Sequence, residues 1–375
     1  MRGIFYQALA ALAVAGFIWY LANNALTNME KRGITTGFDF LSQPAGFGIL
    51  QTLIDYTEAD TYGKTFVVGL LNTVLVSVIG IILATILGFI MGIARLSHNW
   101  LIQKIATAYV EIFRNVPLLL QIFFWYFAVL QALPGARNSI SIGEAAFLSV
   151  RGLYIPRPIT EDGFGWVTAA FVLAIILVIT YVRWDHKHQA ETGQILPVFW
   201  PSVAVLIGLP LITYWIMGSP LHWEYPELKR FNFAGGIRVI PEFMALLMAL
   251  VIYTGTYIAE TVRSGIEAVS HGQTEAALAL GFTNSQRLRL IVVPQALRVI
   301  IPPLTNQYLN LTKNSSLATA IGYPDLVSVF AGTTLNQTGQ AVEIILMTMS
   351  VYLTLSLTTS AFMNWYNKRI ALVER

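Results

Sequence analysis

Long runs of apolar residues recur along this chain, and their length predicts its architecture. About 20 residues of α-helix, at 1.5 Å each, cross the ~30 Å hydrocarbon core of a bilayer. Eight stretches approach or exceed that length, although the fourth is short and polar residues and prolines interrupt the seventh. They lie at residues 4–22, 66–94, 105–131, 166–182, 197–217, 241–262, 297–322 and 341–365. The pattern predicts an all-α integral membrane protein with about eight transmembrane helices.

Composition agrees with a membrane protein and narrows the chemistry. Charged residues make up 11% of the chain, against about 25% in soluble domains, and hydrophobic residues make up 55%. A chain without cysteine has no disulfide, thiolate metal site or cysteine nucleophile. The histidines show no metal-binding spacing beyond a weak pair at 186 and 188, and the net charge of +3 gives no reason to expect nucleic acid. We expect no catalytic residue, metal or cofactor on this chain.

Basic residues near the ends of the apolar runs predict how the chain crosses the membrane. If the amino terminus is cytoplasmic, the inner loops hold lysines and arginines with few acids to offset them. This series is Arg2, Arg95, Lys104, Arg183, Lys187, Arg263, Arg287, Arg289, Lys368, Arg369 and Arg375. The outer loops are not strongly depleted in basic residues, yet they hold most of the acids. The bias predicts that both termini and residues 263–293 are cytoplasmic.

One polar stretch between the sixth and seventh apolar runs has an informative spacing. It contains a glutamate, two alanines, a glycine four positions after the second alanine, and then an isoleucine and a proline. These residues are Glu275, Ala276, Ala277, Gly281, Ile291 and Pro294. Because two membrane-length runs flank the stretch, we expect a loop that leaves the membrane and returns.

The same stretch predicts two short helices joined at a glycine. Ser270 with Gln273, and Thr283 with Gln286, fit the S/T-x-x-E/Q capping box, so helices are expected to begin at about 270 and 283. Gly281 would follow the end of the first helix, where a left-handed backbone costs glycine little.

The spacing E-A-A-x3-G-x9-I-x-x-P resembles, at every fixed position, the coupling-loop signature of permease subunits of ATP-binding-cassette (ABC) importers. The resemblance implies that an ABC ATPase, made as a separate chain, docks on this coupling loop (263–293). The two small alanines would let that partner approach the helix backbone, and Glu275 would meet a basic group on it. The alternative is a surface hairpin that binds nothing.

Two further strings resemble segments of permeases for polar amino acids. Residues 111–119 resemble E-x-x-R-G-T-P-L-L, with Asn115 and Val116 in place of glycine and threonine. Residues 313–317 resemble K-(N/D)-(T/S)-S-L. Together with the coupling loop, these strings narrow the implied substrates to amino acids.

The chain resembles still more closely the Q-type permease of general L-amino-acid uptake systems in Gram-negative bacteria. The features shared are Gly33-Ile34, the string at 51–56 and a long insertion after residue 131. The resemblance implies a five-helix core of the type I ABC importers, with an anchor helix and a two-helix insertion added. The implied segments are an anchor and outer loop at 1–65, core at 66–131, insertion at 132–240, and core with the coupling loop at 241–375.

The resemblance also implies a function and partners. It indicates a permease subunit of an ATP-driven importer for L-amino acids in the bacterial inner membrane. The implied partners are a second homologous permease, a cytoplasmic ABC ATPase dimer that binds ATP and magnesium, and a periplasmic amino-acid-binding protein. The alternative is an autonomous channel or ion-coupled carrier, although no internal repeat typical of many secondary transporters is visible.

Polar residues at membrane depth predict the translocation path. Polar groups that face lipid cost several kcal/mol, so these residues are expected to face an aqueous path or a partner helix. The set is Asn310, Lys313, Asn314, Ser315 and Ser316. Lys313 or Arg114 would supply the cation that the carboxylate of an amino acid needs. Hydrogen bonding between helices, without a substrate, is the alternative.

The string at 111–119 has a structural prediction of its own. Glu111 and Arg114 lie three residues apart, so they share one helix face and are expected to pair. Pro117 is expected to bend the helix, because its ring removes a backbone hydrogen bond. The alternative is a pair of charges that reach the membrane boundary separately, beside a packing kink.

Overall fold

The computed structural model of the chain describes residues 2–31, 36–143, 145–194, 196–230 and 232–370. Helices occur at all eight predicted apolar stretches. The helices are α1 (Arg2–Lys31), α2 (Tyr62–Arg95), α3 (Trp100–Asn115), α4 (Leu118–Leu130), α5 (Phe164–Thr192), α6 (Phe199–Ile216), α7 (Pro241–Glu267), α8 (His271–Ala279), α9 (Asn284–Arg287), α10 (Val293–Asn314), α11 (Leu335–Thr338) and α12 (Ala341–Ile370). Gly33, Ile34 and Arg375, which the sequence argument used, lie outside the described residues.

Most of the long helices qualify as membrane spans. Within the described residues, six helical segments are long and apolar enough to cross a bilayer, and α3 with α4 makes a seventh candidate. The apolar part of α1, Phe5–Leu21, is shorter. The prediction of a mostly helical, multi-span membrane protein is confirmed.

A bend of 106° separates α3 from α4. Val116 is extended there, with φ −94° and ψ 127°, because Pro117 disfavours the helical conformation of the residue before it. The side-chain Nε2 of Gln121 donates to the carbonyl oxygens of Phe113 and Val116 at 2.8 and 3.0 Å. These bonds satisfy two backbone acceptors at the end of α3. The bend predicted at Pro117 is confirmed.

Contacts divide the chain into two compact units, residues 1–131 with 241–375 and residues 132–240. In the first unit, α2 and α7 run side by side in the same direction. A Cβ atom on Gly88 would lie 2.5 Å from that of Ile258, and one on Gly92 would lie 2.7 Å from that of Val262. The G-x-x-x-G spacing of the two glycines brings helix backbones together. We call this contact the glycine seam.

Residues 36–61, named the strap, pack across the end of α2 that lies farthest from the glycine seam. Phe40 and Ala45 of the strap are buried in an apolar cluster. The other buried members of the cluster are Tyr62, Leu326, Phe330 and Ile344. The strap is therefore an ordered part of the first unit, where the sequence predicted only a loop.

Polar contacts fix both ends of the strap. The backbone N–H of Gly37 donates to Oε1 of the buried Glu343 at 2.8 Å. At the other end, the Lys64 ammonium donates to Oδ1 of Asp60 at 2.9 Å. This hydrogen bond, together with one from the Thr57 backbone N–H, holds the pKa of the Asp60 carboxyl below its usual range.

Buried polar side chains of α2 hold the connection that follows α10. The side-chain amide of Asn72 donates to the carbonyl oxygens of Pro324 and Gln51 at 2.8 and 2.9 Å. The backbone N–H of Leu326 donates to Oγ1 of Thr73 at 3.0 Å. Because Gln51 belongs to the strap, Asn72 joins the strap, α2 and the connection before α11.

The second unit, residues 132–240, contains the α5–α6 helix pair and short strands that the sequence analysis did not foresee. The strands are β1 (Ile140–Ile142), β2 (Ala146–Ser149), β3 (Gly152–Ile155), β4 (Arg157–Thr160), β5 (Leu221–Glu224), β6 (Glu227–Lys229), β7 (Asn232–Ala234) and β8 (Ile237–Val239). Antiparallel pairing gives one sheet in the order β1-β2-β3-β8 and two separate two-stranded sheets, β4-β5 and β6-β7. The rings of Phe147 and Phe233 stack at 4.7 Å between centroids in the core of this part.

Candidate functional site

The coupling loop folds as α8, α9 and a π-helical turn at Leu288–Val292. The capping box at the start of α9 forms, because Thr283 Oγ1 accepts from the backbone N–H of Gln286 while Gln286 Oε1 accepts from that of Thr283. The prediction of a capping box at the start of α8 is wrong, because the Ser270 side chain makes no capping hydrogen bond. The side chain of Gln273 instead accepts a hydrogen bond of 3.4 Å from Gln295. Both helices nevertheless begin where the sequence predicted.

Gly281 ends α8 with a left-handed backbone, at φ +79°. The N–H of Gly281 donates to the carbonyl of Leu278 at 3.0 Å, and that of Phe282 donates to the carbonyl of Ala277 at 3.1 Å. This pair of bonds is the Schellman motif, which satisfies the last carbonyls of a helix. The prediction that Gly281 stops the first helix is confirmed.

The glutamate and the two alanines differ in exposure. Glu275 and Ala276 are exposed, whereas Ala277 is only 1% exposed. Ala277 therefore packs inside this chain, and its small size serves internal packing. The expectation that both alanines admit a partner is corrected, because only Ala276 offers its surface.

The coupling loop exposes large apolar side chains, and its residues 284–293 belong to the helical segment Asn284–Ile321 that counts as a candidate span. Leu278 and Leu280 on α8 are 50% and 74% exposed. Leu288 and Leu290 on the π-helical turn are 45% and 60% exposed. Leu278 and Leu280 precede that segment, so a membrane span does not account for their exposure.

The last two residues of the coupling-loop spacing join the loop to α10. Ile291 is half-buried, beside the buried Val292. Pro294 lies in the first turn of α10, where its missing N–H leaves no unpaired donor. These two residues position the loop on the span that follows it.

A charge network that the sequence analysis missed joins α2 to α7 at the ends nearest the coupling loop. Glu260 Oε2 accepts a hydrogen bond from Arg95, and Oε1 accepts one of 2.6 Å from Arg263. Arg263 also pairs with Glu267 at 2.5 Å. An acid at position 260, within an apolar run, was the available signal, because such an acid needs a partner.

The predicted path residues lie on the last turns of α10 and the 3₁₀ turn at Ser315–Ile321. Asn310 and Lys313 are exposed, and Asn314 and Ser316 are half-buried. Ser315 is fully buried and donates to the carbonyl of Thr312 at 2.7 Å. In this conformation Ser315 therefore faces the protein interior.

Lys313 and Ser316 line a cavity of about 370 Å³. Its other lining residues are Val327, Thr348, Met349 and Tyr352. Tyr352 donates to the buried carboxylate of Asp325 at 3.4 Å. The lining surface is mostly apolar, and the hydroxyl groups of Ser316 and Thr348 donate to the carbonyl oxygens of Lys313 and Ile344.

Arg114 contacts an aromatic ring, and the ion pair predicted for it does not form. The predicted Glu111–Arg114 ion pair is wrong, because no ion pair joins these two described residues. The Arg114 guanidinium instead lies over the Tyr257 ring, 5.3 Å from its centroid. Among the described residues, no hydrogen bond or ion pair joins Arg114 to residues 310–316. Arg114 thus contacts α7, the helix that leads into the coupling loop.

Two observations concern possible metal ligands and the buried polar side chains of α2. Over the described ranges, no group of three His, Asp or Glu side chains is placed to hold a metal ion. The buried polar residues that the sequence analysis missed, Asn72 and Thr73, bond to backbone groups. These bonds fix α2 to the strap and to the connection before α11.

The chain matches known proteins along its whole length. A family model described as "Binding-protein-dependent transport system inner membrane component" matches residues 190–372. The putative amino-acid ABC transporter permease protein YhdX of Escherichia coli (strain K12) is 58% identical, over 100% of this chain and 95% of that protein. The general L-amino acid transport system permease protein AapQ of Rhizobium johnstonii is 52% identical, over 100% of this chain and 93% of that protein.

A third relative, the glutamate/glutamine/aspartate/asparagine transport system permease protein BztB of Rhodobacter capsulatus, is 43% identical, over 97% of this chain and 92% of that protein. The predicted resemblance is confirmed, and the channel or ion-coupled carrier is not retained. The chain is a multi-pass inner-membrane component, and in importers of this class the ATPase is a separate subunit. The chain belongs to the family of amino-acid ABC transporter permeases and is the permease subunit of an ABC amino-acid importer.

Proposed function

We propose that this permease forms the translocation path for L-amino acids together with a second, homologous permease, and that its coupling loop docks the separate ATPase. The exposed leucines of the coupling loop, above all Leu280, carry the docking part of the proposal. An apolar surface outside the spans is stabilised when a partner protein covers it. Glu275 and Ala276 are exposed on the same helix, and Gly281, Ile291 and Pro294 set its position.

The proposal also fixes the orientation. The coupling loop and both termini are cytoplasmic, a sidedness supported by Arg263, Arg287 and Arg289 at the loop. ATP and magnesium bind to the partner ATPase dimer, and a periplasmic amino-acid-binding protein delivers the substrate on the opposite side. A five-helix core is about half of what a two-sided pore needs, so two permeases pair about a pseudo-two-fold axis.

The polar stretch at 310–316 lines the path in this proposal. Lys313 is exposed at a cavity whose other polar groups are hydroxyls. An exposed ammonium group suits the carboxylate of an amino acid. The buried Ser315 would reach the path only in another conformation of the transport cycle.

A charge placed on the exposed leucine surface tests the docking role. We expect Leu280→Asp to abolish recovery of the ATPase with the tagged permease, because covering a leucine contributes about 1.5–3 kcal/mol. Leu50→Asp is the matched control, since Leu50 in the strap is 70% exposed and Leu280 is 74% exposed. Equal recovery of the ATPase with both variants would contradict the proposal. Mass measurement of the extracted complex should also show one copy of a second permease.

A further inference from the structure

We propose that Glu260 is a positioning residue that fixes α2 to α7 beside the coupling loop, so that both helices move as one body when the ATPase moves the loop. The inference rests on the proposed function, because it assumes an ATPase docked on the coupling loop. It concerns how the movement is transmitted and involves no contact with the substrate.

The hydrogen bonds of Glu260 place it between two helices. One carboxylate oxygen accepts from Arg95 at the end of α2, and the other accepts from Arg263, one turn further along α7. The Arg95 side chain is 13% exposed and that of Glu260 is 28% exposed, so water screens the pair only partly. The Arg95–Glu260 bond joins the two helices, whereas the bond from Arg263 sets the orientation of the carboxylate.

The glycine seam explains why such a bond is needed. Gly88 and Gly92 bring the backbones of α2 and α7 together, with Ile258 and Val262 packed against them, but these apolar contacts are not directional. A charge-assisted hydrogen bond is directional and fixes the register. Arg95 lies three residues beyond Gly92, at the end of the seam.

The network also lies close to the coupling loop. Glu267 ends α7 and His271 begins α8. Glu260 precedes the end of α7 by seven residues, or about 10 Å of helix. A movement of α8 therefore reaches Glu260 through the three-residue connection 268–270 and the last turns of α7, and the Arg95–Glu260 bond passes it to α2.

The test uses the complete complex reconstituted in vesicles, with substrate uptake and ATP hydrolysis measured together. We expect the complex with Glu260→Gln to keep its bound ATPase and its rate of ATP hydrolysis. The amount of substrate moved per ATP should fall about tenfold, which is within the usual range of coupling between two sites. Glu191→Gln is the control, because it removes a carboxylate whose ion pair, with Lys187, lies within the single helix α5. It should transport as the wild type does. If Glu260→Gln does not accumulate, Arg95→Gln replaces it, since Glu260 then keeps Arg263.

A crosslink provides the rescue. The chain has no cysteine, so Arg95→Cys with Glu260→Cys introduces the only thiol pair in the permease, and a bifunctional thiol reagent can join it. We expect the crosslinked pair to regain transport per ATP and the unlinked pair to lack it. The inference alone is overturned if uptake and hydrolysis fall together, if neither changes, or if the crosslink blocks transport. A wild-type permease that retains no ATPase would overturn the proposed function as well.

Discussion

Replacing Gly281 tests whether the turn after α8 must be left-handed for the ATPase to dock. Gly281 has φ +79°, and a Cβ atom there would meet nothing within 4 Å, so a substitution adds backbone strain without a clash. The left-handed conformation costs a residue other than glycine about 1–2 kcal/mol. About 1.4 kcal/mol corresponds to a factor of ten in an equilibrium constant.

A series of side chains separates strain from size. We expect Gly281→Ala to raise the apparent Kd for the ATPase roughly tenfold, because a smaller fraction of the molecules has the coupling loop in the docking conformation. Gly281→Asn should raise it less, since asparagine tolerates this region, and Gly281→Val should raise it more, because its Cβ is branched. Titration of purified permease with the ATPase measures each value.

A second glycine of the coupling loop serves as the control. Gly272 lies in the first turn of α8 with an ordinary φ, and the nearest atom to a Cβ there is the Ser270 hydroxyl at 3.6 Å. Gly272→Ala should bind the ATPase as tightly as the wild type. The reasoning is refuted if Gly281→Ala also binds like the wild type, or if all three replacements of Gly281 bind equally weakly.

Three further changes test other parts of the structure. Lys313→Ala should lower uptake more than basal ATP hydrolysis, because it removes a path cation and leaves the coupling loop intact; equal loss of both would make Lys313 structural. Gly88→Ala should lower the melting temperature in detergent, since its Cβ would lie 2.5 Å from that of Ile258 and such overpacking costs about 1–3 kcal/mol. Gly208→Ala, with open space around the new Cβ, should not. The pKa of Asp60 is lower in the folded protein than in the unfolded chain. The Asp60 carboxylate therefore stabilises the strap at pH values above its unfolded pKa, and this stabilisation is lost as the pH falls through its folded pKa. Asp60→Asn should therefore speed hydrogen exchange in the strap at neutral pH, and this difference from the wild type should disappear in strong acid.

The sequence predicted the spans and the turns well because single residues or simple lengths decide them. A run of about 20 apolar residues crosses a bilayer whatever its neighbours are. Pro117 bends its helix through its own ring, and Gly281 ends α8 through its own backbone freedom. The capping box of Thr283 is also a local feature, because its partner Gln286 lies only three residues away.

Features that depend on distant segments were not predictable. The burial of Ala277 depends on the residues that pack against α8, and the spacing of residues in the sequence does not indicate which residues those are. Glu260 pairs with Arg95 across 165 positions, whereas the nearby pair expected between Glu111 and Arg114 does not form, because the Tyr257 ring competes for the guanidinium. The strands of residues 132–240 are three or four residues long, too short for a visible alternation of polar and apolar positions.

The length of α2 has a geometric consequence. At 34 residues, α2 measures about 51 Å, with the Arg95–Glu260 bond at one end and the strap packed on the other. A rigid tilt of about 5° around the Arg95 end therefore displaces the strap end by about 4 Å, more than the length of a hydrogen bond. A tilt of α2 that is too small to resolve at its Arg95 end is therefore measurable with a distance probe on the strap.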